Sequence, residues 1–216
     1  MSVRKSLRVT RRGVLAGAAF TLLTGFSLEA LFAPSAELWP VWQAHDARST
    51  HRLDHGRWDG LLARYRAGGE DGIVRFAYRR VSADDRKALD SYVADLAGAP
   101  VSRLNRPEQF AYWVNLYNAL TIKVILDNDI PKSVNCASLG CPDLPPKAFT
   151  AANTEKLLEE AARAYVNHPR GARLIDGLLH VSSIYVWFAA DFGGEAGVLN
   201  HLARYARPEL AARIRQ

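Results

Sequence analysis

Residues 105–127 read NRPEQFAYWVNLYNALTIKVILD. Asn105 suits a helix N-cap, Pro107 suits a first turn, and Glu108 suits the positive end of a helix dipole. Behind them Phe110, Tyr112, Trp113, Val114, Leu116, Tyr117, Leu120, Ile122, Val124, Ile125 and Leu126 leave almost no polar face. A helix that is apolar all round is expected at the buried centre of a fold. Glu108 and Asn115 are seven residues apart and share nearly one angle on this helix, and Asn118 follows three further on. A carboxylate and two amides beside so much apolar surface must find partners, because an unpaired buried polar group costs about 1–3 kcal/mol. Two readings stay open for Glu108, Asn115 and Asn118. They anchor and orient a catalytic group, or they pin neighbouring loops.

Outward from this helix the chain alternates short elements. Residues 37–56 read as a loop-like entry. Trp58, Leu61, Leu62 and Tyr65 have helical spacing, closed by Gly68-Gly69, and Ile73, Val74, Phe76 and Tyr78 suggest a short strand. Ser82 with an acid three residues on reads as an N-cap for a helix carrying Leu89, Tyr92, Val93 and Leu96. After the central helix, residues 130–134 suggest a short strand or turn, followed by a cysteine-containing loop. Leu157 to Val166 reads as an amphipathic helix. Asp176-Gly177 between two apolar runs predicts a hairpin, and Ser182 caps a further helix. No repeat or obvious linker occurs. The fold class expected is α+β, a mostly helical single domain over 37–216 with a small antiparallel sheet.

The 216 residues carry 28 Lys+Arg and 22 Asp+Glu, a net +6. About half the residues are hydrophobic, which excludes a disordered tail or a disulfide-dense mini-protein. The first 36 residues hold five basic residues, Arg4, Lys5, Arg8, Arg11 and Arg12, and one acid, Glu29, so four of the six net charges lie there and the remaining 180 residues carry +2. An uncharged run from Gly13 to Leu28 and then Ala33-Pro34-Ser35-Ala36 complete the order of a signal peptide. Thr10-Arg11-Arg12-Gly13-Val14-Leu15 resembles the twin-arginine export motif. Residues 1–36 are therefore expected to be a leader read by the twin-arginine machinery, and the folded part is expected in the periplasm or outside the cell. Membrane contact is expected only through that leader, and nucleic acid is not an expected partner.

Chemistry-bearing motifs are few. There is no Gly-rich phosphate loop, no HExxH and no Cys-x-x-Cys, and two cysteines are too few for an iron–sulfur cluster. No cofactor and no metal is expected. Cys136 and Cys141 lie five apart in a loop of small residues. Outside the cytoplasm such a pair reads first as a disulfide, second as a thiol nucleophile needing a base and an orienting group, and third as part of a metal site, whose spacing matches no standard pattern. The histidines are His45, His51, His55, His168, His180 and His201, and none forms a triad-like motif on its own.

Taken together, several segments resemble the family known as domain of unknown function 547. They are Glu108 to Thr121, Asn135 to Pro142, Phe149-Thr150-Ala151, Tyr165-Val166-Asn167, Ser182-Ser183-Ile184-Tyr185 with Trp187, and Asp191-Phe192-Gly193-Gly194. The resemblance implies a fold related to papain-like thiol hydrolases, with a motif cysteine as candidate nucleophile. It also reveals a departure. The family's pattern has several dozen residues between the tyrosine-rich helix and the cysteine motif, with an Asp-x-Glu-His-like motif and a second histidine. Here Asp129 to Ser133 runs almost directly into Val134-Asn135-Cys136. That shortening is expected to expose apolar surface of the central helix or bare a sheet edge, with self-association as the consequence.

Two functions follow as expectations. One is an exported, non-catalytic or degenerate domain with a binding or structural role, its ligand a peptide or envelope component. The other is a cysteine-dependent hydrolase of peptidase or amidase type in the cell envelope, with Cys136 as nucleophile and Glu108, Asn115 or Asn118 in support.

Overall fold

In the computed structural model, which describes residues 39–128 and 141–215, local capping chemistry sets several helix starts. Ser82 Oγ accepts the Asp85 N–H at 3.1 Å and opens a helix, and Asn105 Oδ1 accepts the Glu108 N–H at 3.0 Å and opens the longest one. The expected leader with Arg11 and Arg12, the expected strand or turn at 130–134, and Cys136 lie outside the described residues.

The described residues are mostly helical, with seven α-helices and two two-stranded antiparallel sheets, an α+β arrangement. They fall into two compact units, 39–161 and 162–215. No helix among them is long and apolar enough to cross a membrane.

The first unit contains α1 (Gly56–Tyr65), β1 (Arg66–Gly68), β2 (Val74–Phe76), α2 (Ala83–Ala97) and α3 (Arg106–Asp127), and α4 (Thr154–Val166) begins in it. Helix α1 stops at Tyr65, before the glycine pair, because Arg66 turns extended and pairs with Phe76 in the β1–β2 register. Trp58, Leu61 and Leu62 of α1, Leu89, Tyr92 and Leu96 of α2, and Tyr112, Ala119, Ile122 and Ile125 of α3 form one core. Each fully buried large aliphatic side chain contributes about 1.5–3 kcal/mol to it. Trp58 and Tyr92 stack nearly parallel, with ring centroids 6.1 Å apart.

The expectation of a central helix buried all round holds for one face of α3. Glu108, Ala111, Tyr112, Asn115, Ala119, Ile122 and Leu126 are buried, whereas Phe110, Trp113, Tyr117, Leu120 and Val124 are exposed. Both sets are apolar enough for a core. Within this unit the packed core gathers on the first face alone.

The second unit contains the end of α4, β3 (Ala172–Ile175), β4 (Leu178–Val181), α5 (Ser183–Trp187), α6 (Gly194–Tyr205) and α7 (Pro208–Ile214). Asp176 (φ 51°) and Gly177 (φ 76°) join β3 to β4, and two successive left-handed residues make the turn whose twist suits a tight hairpin. Tyr165, Val166, Leu179, Tyr185, Val198 and Leu202 form its core.

Candidate functional site

The polar stripe on α3 meets a histidine that the sequence did not single out. Asp54 Oδ1 accepts the Gly56 N–H at 2.8 Å, and the His55 carbonyl accepts the Asp59 N–H at 2.9 Å, so His55 stands at the N-cap of α1. Its ring turns inward and is only 4% exposed. Nδ1 lies 2.7 Å from the Tyr92 hydroxyl on α2, and Nε2 lies 3.4 Å from Asn115 Nδ2 on α3.

Asn115 is fully buried and clamps a backbone. Its Oδ1 accepts the Phe149 N–H at 2.9 Å and its Nδ2 donates to the Phe149 carbonyl at 2.7 Å. This pair of hydrogen bonds to one residue fixes which end of the amide is which. The NH2 end faces His55, so Nε2 accepts, Nδ1 carries the proton, and the proton is donated to the Tyr92 oxygen. His55 is neutral in this arrangement. Burial holds its pKa below the ordinary 6.5, against the opposing pull of the negative charges on Glu108, Asp59 and Asp54. Burial, with Asp59 and Asp54 adding to it, pushes the Tyr92 hydroxyl well above its ordinary value.

Glu108 lies two turns of α3 away from Asn115, 1% exposed. Its Oε1 accepts the Leu53 N–H at 2.9 Å, and its Oε2 has the Arg52 guanidinium at 3.8 Å and no hydrogen bond. Neighbouring residues at the start of α3 hold the same entry segment. Asn105 donates to the Ser49 carbonyl, Arg106 to that of Gln43, and Gln109 to that of Ala44. Residues 43–55 are thus stitched to α3 by side chains that satisfy loop backbone, as buried peptide groups require. Asn118 is half-buried and joins none of these bonds.

The structure therefore brings together Glu108, Asn115 and the unforeseen pair His55 and Tyr92, and it leaves Asn118 aside. A signal for His55 exists in the sequence. It falls at 3, 4, 3 spacing with Trp58, Leu62 and Tyr65, on the apolar stripe of α1. Cys136 lies outside the described residues. Cys141 is described, and its sulfur is disulfide-bonded. Among the described residues no group of three or more His, Cys, Asp or Glu side chains is placed to hold a metal ion.

The other histidines have surroundings of their own. His45 and His51 are exposed, His168 Nδ1 accepts the Arg170 N–H at 3.2 Å, and His180 pairs across the β3–β4 hairpin with Arg173. His201 is half-buried in the second unit among Tyr185, Phe192 and Tyr205, with ring centroids 5.7, 4.9 and 4.9 Å away.

Compared with known proteins, residues 101–134 match a family model described as "Protein of unknown function, DUF547". The matched stretch holds all of α3, with Glu108, Asn115 and Asn118, and supports the family assignment. No curated protein and no solved structure matches the chain.

Proposed function

We propose that this chain is an exported member of the DUF547 family that acts as a non-catalytic binding or structural domain in the cell envelope, with a peptide or envelope component as its ligand. One observation carries the non-catalytic reading, the polarity of the Asn115–His55 contact. In a Cys-His-Asn hydrolase the asparagine oxygen accepts from the imidazole and leaves the other nitrogen free to take the thiol proton. Here the asparagine oxygen is committed to Phe149 N–H, its nitrogen faces Nε2, and Nδ1 is bound to Tyr92. Neither ring nitrogen is left over for a thiol. A disulfide between Cys136 and Cys141, the chain's two cysteines, accords with this reading and with an oxidising compartment. The leader with Arg11 and Arg12 supports the export.

The alternative, a cysteine-dependent hydrolase of peptidase or amidase type with Cys136 as nucleophile, draws on the same contact. A buried histidine does sit beside an asparagine, with a carboxylate two helical turns away. One experiment separates the two. The protein is purified without reductant, treated with iodoacetamide and analysed by mass spectrometry, and in parallel offered peptide-amide and ester substrates. Absence of alkylation and of turnover is expected. Turnover abolished by both Cys136→Ser and His55→Gln would overturn the non-catalytic reading.

A further inference from the structure

Helix α3 carries a second apolar face, opposite the one that builds the core. Phe110, Trp113, Tyr117, Leu120 and Val124 are all exposed, Tyr117 by 62%. Their spacing of 3, 4, 3 and 4 is that of heptad a and d positions, the pattern by which one helix packs along another. Trp42 packs edge-on against Trp113 at 5.2 Å between ring centroids, and the exposed Trp39 and Val41 belong to the same short turn as Trp42. Single apolar residues are ordinary on a surface, but an aromatic stripe along four turns of helix is not.

We propose that this stripe is the interface of a two-fold homodimer in which α3 lies antiparallel against α3 of a second copy. Three observations select that occupant. The stripe is self-complementary about Tyr117, as an isologous interface requires. Running it backwards sets Trp113 against Leu120 of the second copy and Phe110 against Val124, a large ring against a smaller aliphatic side chain in each layer. The ends carry opposite charges. Arg106 and Asp127, both exposed, lie seven residues before Trp113 and seven after Leu120, and within one copy Arg106 also holds Gln43 and Gln109 while Asp127 pairs with Lys123. Antiparallel pairing brings Arg106 of each copy to Asp127 of the other, whereas parallel pairing sets like charge on like. The area is of the right size. With about 150–250 Å² on each aromatic side chain, the exposed parts of Trp39, Trp42, Phe110, Trp113 and Tyr117 come to roughly 500 Å². Val41, Leu120 and Val124 add to this, toward the about 800 Å² per partner of a stable complex.

The test is sedimentation velocity of the chain over a wide concentration range, with cross-linking through one introduced cysteine. A reversible monomer–dimer equilibrium is expected. Tyr117→Glu removes an anchor from both copies and is expected to weaken the dimer by on the order of a hundredfold, with an unchanged far-UV circular dichroism spectrum. Tyr117→Cys is expected to cross-link to itself, and Phe110→Cys to cross-link only when mixed with Val124→Cys. Arg106→Glu is expected to weaken the dimer and Arg106→Glu with Asp127→Arg to restore it. A monomer at every concentration, or a dimer indifferent to Tyr117→Glu, overturns the proposal. Self-linking of Phe110→Cys overturns the antiparallel arrangement. A monomer that co-sediments with neutral phosphatidylcholine vesicles assigns the stripe to a lipid surface instead.

Discussion

The side-chain amide of Asn115 points its nitrogen at His55 Nε2, 3.4 Å away, because its oxygen is already held by the Phe149 N–H. The asparagine thereby ties α3 to a loop backbone and also decides the tautomer of a buried histidine. Removing it strands several groups at once. Asn115→Ala leaves the N–H and the carbonyl of Phe149 without their partners in a dry interior. At about 1–3 kcal/mol for a buried group left unsatisfied, a loss of about 3 kcal/mol is expected. Urea denaturation checks it, with the midpoint falling and the slope unchanged.

Asn115→Asp should act differently. A carboxylate still accepts from Phe149 N–H but cannot donate to Nε2, and its charge favours a protonated imidazole. The pKa of His55, which burial now holds below 6.5, is expected to move upward, as followed by the ring proton shifts in a proton NMR titration. If the titration of His55 stays where it was, the assigned polarity of the contact is wrong.

The pH dependence of stability follows from the same burial. His55 in the first unit and His201 in the second are both held below 6.5 by burial, and for His201 the Arg204 charge adds to it. A depressed histidine pKa means that the unfolded chain takes up the proton first as pH falls. Stability is therefore complete above about pH 6.5, declines as pH drops from there toward the folded-state values, and levels off below them. For His55 the slope within that window is at most about 1.4 kcal/mol per pH unit. Asp85 behaves in the opposite sense. Bonds from Tyr65, Ser82 and Arg64 hold its carboxyl below the ordinary value, so its contribution is lost only at lower pH, as the carboxylate protonates. Thermal unfolding between pH 7 and 5 is expected to show the first loss, reduced in His55→Gln.

Much of this fold was legible because the signals are local. Ser82 and Asn105 cap helices through bonds to residues three ahead, and Asp176-Gly177 supplies two left-handed residues that few other pairs tolerate. The polar stripe of Glu108 and Asn115 was legible too, because the helical repeat alone aligns them. What local signals could not give is the direction of packing. A helix apolar all round offers two equivalent faces, and only the placement of α1 and α2 decides that Ile122 is inside and Tyr117 outside. His55 was missed because it stands at the N-cap, one residue before the helix whose apolar spacing it continues, and its partner Asn115 is sixty residues away in sequence.

Two glycines in the second unit are held by backbone contact. A Cβ at Gly197 would run into the carbonyl of Phe192, and one at Gly171 into the carbonyl of Tyr165. Neither obstacle is the tip of a flexible side chain, so Gly197→Ala and Gly171→Ala are each expected to cost about 1–3 kcal/mol. Gly68 in β1 has nothing within 4 Å of the same position. Gly68→Ala should be neutral or slightly stabilising, by up to about 1 kcal/mol. Calorimetry on the three variants orders them.

The proposed leader makes a prediction that separates address from charge. If Arg11 and Arg12 are read as a pair by the twin-arginine machinery, replacing both with lysine keeps every charge but removes the planar guanidinium groups. Lysine is a compact point charge and cannot reproduce their geometry. Arg11→Lys with Arg12→Lys should therefore leave the full-length precursor in the cytoplasm, and a strain lacking the twin-arginine translocase should do the same to the unaltered chain. Arg4→Lys with Arg8→Lys, outside the pair, should have no effect. Cell fractionation with immunoblotting of precursor and mature forms decides it. Normal export of the Arg11→Lys, Arg12→Lys chain would mean that the basic cluster serves only as charge ahead of an apolar run, the requirement of the general secretion route.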